Sequence, residues 1–167
     1  MGADHFASAM VHKTEEKLEG IFHVPSLHFF NRQSEDYPLS LISADTDHTH
    51  TMVVAPTGAG KTDFLFRRCK GRVFYTLPFQ ASINAMYQRL KKDLKADNPH
   101  LNLKLLHAAS ALVRPEDGDF EDIVLQRHIG SSIKVLTPYQ LTGIAFGSKG
   151  YEAMILDLKD CDIILDE

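Results

Sequence analysis

Eight consecutive residues, Ala55-Pro56-Thr57-Gly58-Ala59-Gly60-Lys61-Thr62, have the types and order needed to cradle a phosphate chain. Gly58 and Gly60 permit tight turns that aim backbone N–H groups at an anion. Lys61 adds a point charge suited to β- and γ-phosphates, and the Thr62 hydroxyl is a ligand for Mg²⁺. A helix opening at Lys61 would direct the positive end of its dipole at the same anion. Pro56, Thr57 and Ala59 complete the loop. The chemistry implied is binding of ATP with Mg²⁺.

The loop follows the A-x-x-G-x-G-K-T form of the Walker A pattern, with Ala55 where the commoner form begins with Gly. A second chemical signal closes the chain. Ile163-Ile164-Leu165-Asp166-Glu167 reads as an apolar strand ending in two acids. In a P-loop ATPase the first acid holds Mg²⁺, directly or through water. Asp166 takes that role here, and Glu167 that of polarising the attacking water. Lys61, Asp166 and Glu167 are thus the catalytic candidates, with Thr62 and Asp166 on the metal.

These residues need a scaffold that brings a loop and a distant strand end together. Short apolar runs are predicted as strands at 51–55, 72–77, 101–107, 132–137 and 161–166. Helices are predicted at 1–20, 61–68, 80–94, 120–127 and 138–146, and one more short helix at 151–158. In 80–94, Ile83, Met86, Tyr87, Leu90 and Leu94 recur at helical spacing. Pro138 suits a first helical turn. Strands alternating with helices from residue 51 onward give a mostly parallel sheet covered by helices, an α/β domain. Ligands in such folds sit at the C-terminal ends of strands, where both motifs fall. Residues 21–50 read as a connector. Arg67, Arg68, Lys70 and Arg72 read as a solvated basic face, and Asp157, Asp160 and Asp162 as solvated turn acids.

The 167 residues carry a formal net charge of −4, so composition alone offers no argument for nucleic acid. Two cysteines without paired spacing read as buried thiols in a reducing compartment. No signal sequence and no stretch of roughly 20 apolar residues is found. The expectation is a soluble, cytoplasmic chain without membrane contact.

The two motifs together resemble motifs I and II of superfamily 2 helicases. The segments between them are similar to the CRISPR-associated helicase–nuclease of type I systems. Phe74-Tyr75-Thr76-Leu77-Pro78-Phe79-Gln80-Ala81-Ser82-Ile83-Asn84-Ala85-Met86 resembles its motif Ia, and Ile133-Lys134-Val135-Leu136-Thr137-Pro138-Tyr139-Gln140-Leu141 its motif Ib. Leu106-His107-Ala108-Ala109-Ser110 resembles the strand end between them. Ala3-Asp4-His5-Phe6-Ala7-Ser8 resembles the last helix of the preceding HD nuclease domain.

The resemblance implies an ATP-driven translocase on single-stranded DNA, recruited by a crRNA-guided surveillance complex. It implies DNA-backbone contacts from Thr76, Gln80, Ser82, Asn84, Thr137 and Gln140. Asp4 would help bind a divalent transition metal of the nuclease, whose other ligands this chain lacks. The division expected is a remnant of the HD domain at 1–20, a connector at 21–50 and the first half of the N-terminal RecA-like domain at 51–167. Such a fragment is expected to fold marginally, to leave one sheet edge exposed, and to hydrolyse little ATP alone. Another superfamily 2 enzyme, an RNA helicase or restriction-type translocase, and a non-catalytic nucleotide-binding module remain alternatives.

Overall fold

The computed structural model describes residues 22–106, 130–148 and 151–166. Within them four strands form one parallel sheet: β1 (Arg72–Thr76), β2 (Leu103–Leu105), β3 (Ile133–Leu136) and β4 (Cys161–Leu165). Their order across the sheet is β2-β3-β1-β4. Helices α1 (Lys61–Arg68), α2 (Gln80–Asp93) and α3 (Pro138–Ala145) flank it. Short 3-10 turns lie at His28–Asn31, Pro38–Leu41 and Glu152–Leu158. The chain is a small α/β domain of general Rossmann-like arrangement.

Burial follows position in the sheet. Every residue of the central strands β1 and β3 is buried, whereas the edge strands β2 and β4 are half-exposed. The two-residue period divides the core. Val73, Tyr75 and Leu77 face one cluster with Phe30, Phe66, Ile83 and Leu90. Phe74 faces another with Leu106, Leu136, Ile144 and Met154. Helix α3 starts with a capping box: Gln140 N–H donates to Thr137 Oγ1 at 3.2 Å, and Thr137 N–H to Gln140 Oε1 at 2.9 Å. In register, Thr76 lies level with Leu136 on one side and Leu165 on the other. The C-terminal ends of β1, β3 and β4 therefore form one rim.

The strand expected at 51–55 is corrected: these residues are irregular, with Met52 and Val54 almost fully exposed. An apolar run becomes a strand only where a neighbour accepts its backbone hydrogen bonds. Strand β4 pairs with β1 alone among the described residues, so its outer edge is also unpaired, with Ile163 and Leu165 exposed. The strand expected at 101–107 shortens to Leu103–Leu105. The helices expected at 1–20 and 120–127 lie outside the described residues.

The connector is tied to α1. Phe30 stacks on Phe66 at 4.4 Å, and Phe66 on Tyr75 at 5.3 Å. Arg67 and Arg68 are not the solvated face expected from their charge. Arg67 donates to the carbonyls of Leu39, Ser40 and Ile42. Arg68 donates to those of Ala44, Thr46 and His48. Two adjacent guanidiniums thereby satisfy backbone acceptors of a segment that has no strand and only a short 3-10 turn.

Asp157 and Asp162 also depart from expectation. The Asp157 carboxylate is fully buried, 2.7 Å from Lys134 Nζ and 3.5 Å from Arg72 Nη1. Gly130 N–H donates to it at 2.8 Å. Asp162 accepts from the backbone N–H groups of Lys70 and Gly71 at 2.7 and 2.8 Å, pinning the turn before β1.

Burial, with the charge of Asp162, pushes the Cys69 thiol up to about 12. Burial pushes that of Cys161 up to about 11. Both folded values lie above the unfolded one. The stability these neutral thiols contribute is therefore present below about pH 8.5 and is lost as the pH climbs through the folded values. Alkylation of the native chain at pH 8 is expected to run at least about 100-fold slower than that of a free thiol, since only the thiolate reacts. Equal rates for native and urea-unfolded protein would contradict this burial.

Candidate functional site

The loop preceding α1 has the backbone that its glycines promised. Gly58 has φ +83° and Gly60 φ +87°, the left-handed region that residues with a Cβ rarely adopt. At Gly60 an added Cβ would also lie 3.2 Å from Tyr37 Cβ, so the connector presses directly on the loop. Leu39 N–H donates to Ala59 O at 3.0 Å, and Ala59 N–H closes a turn onto Pro56 O at 3.3 Å. Gly60 is the N-cap of α1, and no side chain caps that helix start. Its first-turn N–H groups are suited to an anionic ligand.

Lys61 folds back over its own loop, donating from Nζ to Ala55 O at 2.6 Å and Pro56 O at 3.1 Å. The ammonium is thereby tied to two carbonyls at the start of the loop. The next acid in the chain, Asp63, would repel phosphates. Its carboxylate is instead clamped by two arginines, Arg32 at 2.9 Å and Arg89 at 2.7 Å. A bidentate grip of this kind neutralises the one acidic residue in the first turn of α1.

The loop meets the end of β4 through a residue that sequence reasoning did not single out. Tyr75, on the central strand β1, donates its hydroxyl to Asp166 Oδ2, and the Thr62 side chain lies close to the same hydroxyl. Burial and the bond to Asp166 raise the phenol well above its ordinary range. Asp166 is further fixed by its N–H, which donates to Thr76 O at 3.1 Å. Thr62 and Asp166, more than a hundred positions apart in the chain, converge on one hydroxyl at the C-terminal rim. Two hard oxygen ligands at one point suit Mg²⁺, with phosphate oxygens and water completing its shell. Thr62 and Asp166 would hold the ion, Lys61 would face the terminal phosphates, and the ion would spread the charge of a bound triphosphate. Glu167 and Asp4 lie outside the described residues.

The residues expected on a nucleic-acid strand divide. Gln80 and Asn84 are exposed, one turn apart on α2, and Ser82 is half-buried. Thr76 is buried and its hydroxyl is bonded to Ile164 O at 3.1 Å, so it offers no donor at the surface. Thr137 and Gln140 satisfy each other in the capping box of α3. Two rings beside them are open instead: Phe79 is 69% exposed and Tyr139 88%. Each lies three positions beyond the paired residues Thr76 and Leu136, Phe79 as the N-cap of α2 and Tyr139 in the first turn of α3. Neither α2 nor α3 has an acid in its first turn. The signal that could have found these rings is their position: apolar side chains after a strand end, off the buried stripe of the helix that follows.

A cleft of about 580 Å³ lies elsewhere, at the C-terminal end of α1, lined by His23, His28, Arg67, Lys70, Asn98 and His100 among others. It contains no residue of the phosphate loop. No helix among the described residues is long and apolar enough to cross a membrane.

Comparison with known proteins adds nothing to this geometry: no family model, no curated protein and no solved structure matches the chain.

Proposed function

We propose that this chain is the ATP-binding portion of an ATP-dependent helicase or translocase of superfamily 2, with a RecA-like motor fold. The observation that carries the reading is the meeting of Thr62 and Asp166 at the rim beside a phosphate loop with two left-handed glycines. A generic Gly-rich turn has no reason to place an acid from a distant strand against its threonine. The sheet order supports it as well, because the loop and both helix starts open at the same C-terminal end of the strands.

Single-stranded DNA is the proposed track, and CRISPR interference, with a crRNA-guided surveillance complex as recruiting partner, the proposed setting. Support for both comes from the resemblance of the segments around Phe74–Met86 and Ile133–Leu141. The rim adds a chemical argument. Exposed Phe79 and Tyr139 give bases a stacking surface, and Gln80 and Asn84 give phosphates neutral donors. Binding of this kind is blind to sequence and compatible with a chain of net negative charge.

The test is binding of fluorescent oligonucleotides followed by anisotropy, with Mg²⁺ and a non-hydrolysable ATP analogue. Single-stranded DNA is expected to bind and to compete out single-stranded RNA. Preference for RNA would move the chain to the RNA-helicase reading. Nucleotide binding without affinity for either strand would favour a non-catalytic nucleotide-binding module.

A further inference from the structure

Tyr75 is fully buried in a cluster that is otherwise apolar, between Val73, Leu77, Phe66 and Ile83. Its ring stacks on Phe66 with an interplanar angle of 4°, and Phe66 stacks in turn on Phe30 with 8°. A phenylalanine would fill that position equally well. The hydroxyl is therefore superfluous to packing, and what it touches decides its use. It donates to Asp166, the acid assigned to the metal, and lies close to the Thr62 side chain assigned there with it.

We propose that Tyr75 is a positioning residue for the Mg²⁺ of the nucleotide site, holding Asp166 and Thr62 in place through its buried phenol. The proposal rests on the nucleotide-binding reading above. Asp166 follows an edge strand whose outer side pairs with nothing among the described residues. Leu165, the residue before it, is exposed, so packing restrains this carboxylate little. The phenol supplies the missing restraint. A tyrosine ring has two side-chain torsions, and here both are locked by the aromatic column and the surrounding core. The one phenolic hydrogen goes to Asp166. With Mg²⁺ and nucleotide bound, Thr62 and Asp166 would hold the ion, and Tyr75 would keep its bond to the Asp166 carboxylate. Partners of this kind, which touch the ligand and not the metal, set ligand orientation, and their loss typically lowers metal affinity about 10- to 100-fold.

The experiment is a titration of Mg²⁺ into the chain with a fluorescent ADP analogue, for wild type and Tyr75→Phe, after thermal melts have compared their folding. In Tyr75→Phe the Mg²⁺ concentration at half-maximal enhancement is expected to rise by about 10- to 100-fold. The ratio of ADP affinity with Mg²⁺ to that in EDTA should fall accordingly. An unchanged half-saturation in folded Tyr75→Phe overturns the proposal and leaves Tyr75 as packing alone. A double-mutant cycle with Asp166→Ala separates direct from indirect action. Non-additive effects on Mg²⁺ half-saturation are expected, and additive ones overturn the coupling. Should Tyr75→Phe fail to fold, wild type labelled with ¹³C at tyrosine Cζ carries the test. The Tyr75 resonance is expected to shift with Mg²⁺–ADP beyond its position with ADP in EDTA, and identical positions overturn the proposal. Failure of wild type to bind ADP at all is a different result, and it overturns the nucleotide reading itself.

Discussion

Lys61→Ala is expected to abolish saturable binding of Mg²⁺–ATP to this chain. In a length of protein that turns ATP over, it is expected to lower kcat by on the order of 100- to 1,000-fold, the scale of losing one preorganised electrostatic donor. Two roles are lost together. The ammonium is the only positive side chain within the phosphate loop itself, and charge on the terminal phosphates grows as the bond to the leaving group breaks. The same Nζ also bridges Ala55 O and Pro56 O, so its removal leaves the loop carbonyls without that donor. Lys61→Arg discriminates charge from shape. A planar guanidinium cannot occupy the place of a compact ammonium, so retention of charge should not rescue binding. Isothermal calorimetry and phosphate release measure the two effects. Unchanged affinity and turnover in Lys61→Ala would remove the loop from the account.

The second large effect concerns stability. Asp157→Ala is expected to destabilise the chain by ~3–5 kcal/mol, measured as a shift of the urea midpoint. The carboxylate stands between two buried cations, Lys134 at 2.7 Å and Arg72 at 3.5 Å, and no water reaches it. Removing it strands both. Burial already drives the Lys134 ammonium below its ordinary range, with Asp157 opposing that shift and Arg72 adding to it. Without Asp157 the main opposition disappears, so Lys134 would shed its proton more readily to stay buried. The 3-10 turn Glu152–Leu158, which delivers the chain into β4, would keep only the backbone part of its anchor to the sheet, the bonds from Arg72 Nη2 to the Asp157 and Lys159 carbonyls at 2.8 and 3.0 Å. Pairing the change with Lys134→Met should restore part of the loss, since an apolar side chain needs no counter-charge. A drop of less than about 1 kcal/mol in Asp157→Ala would mean that the cluster is hydrated in solution.

Much of the sheet was legible because its cues are local. Short segments rich in apolar and β-branched residues mark β1, β3 and β4, and Ile83 and Leu90 fall on one face of α2 as their spacing requires. Pro138 announced the start of α3, and the cap that Thr137 and Gln140 form there takes both from the expected nucleic-acid contacts. What failed was non-local. Residues 51–55 have strand composition, but a strand is a property of two chains side by side, and no neighbour is in reach among the described residues. Charge was the other source of error. Arg67, Arg68 and Asp157 read as wet surface because charged residues usually are, and only the folded chain shows the carbonyls and cations that satisfy them. At the candidate site the loop and Asp166 were legible from their motifs. Tyr75 was not, because nothing in its strand marks a hydroxyl that reaches across to β4.

The central claim is that the loop at residues 55–62 binds a nucleotide through its phosphates. Calorimetric titration of the chain with ATP, ADP and adenosine in Mg²⁺ tests it most directly. The account predicts saturable one-to-one binding of ATP and ADP and none of adenosine, because the groups that face the ligand are backbone N–H donors, Lys61 and the oxygens of Thr62 and Asp166. Binding of adenosine as tight as that of ATP, or of none of the three at millimolar concentration by a folded chain, would contradict it.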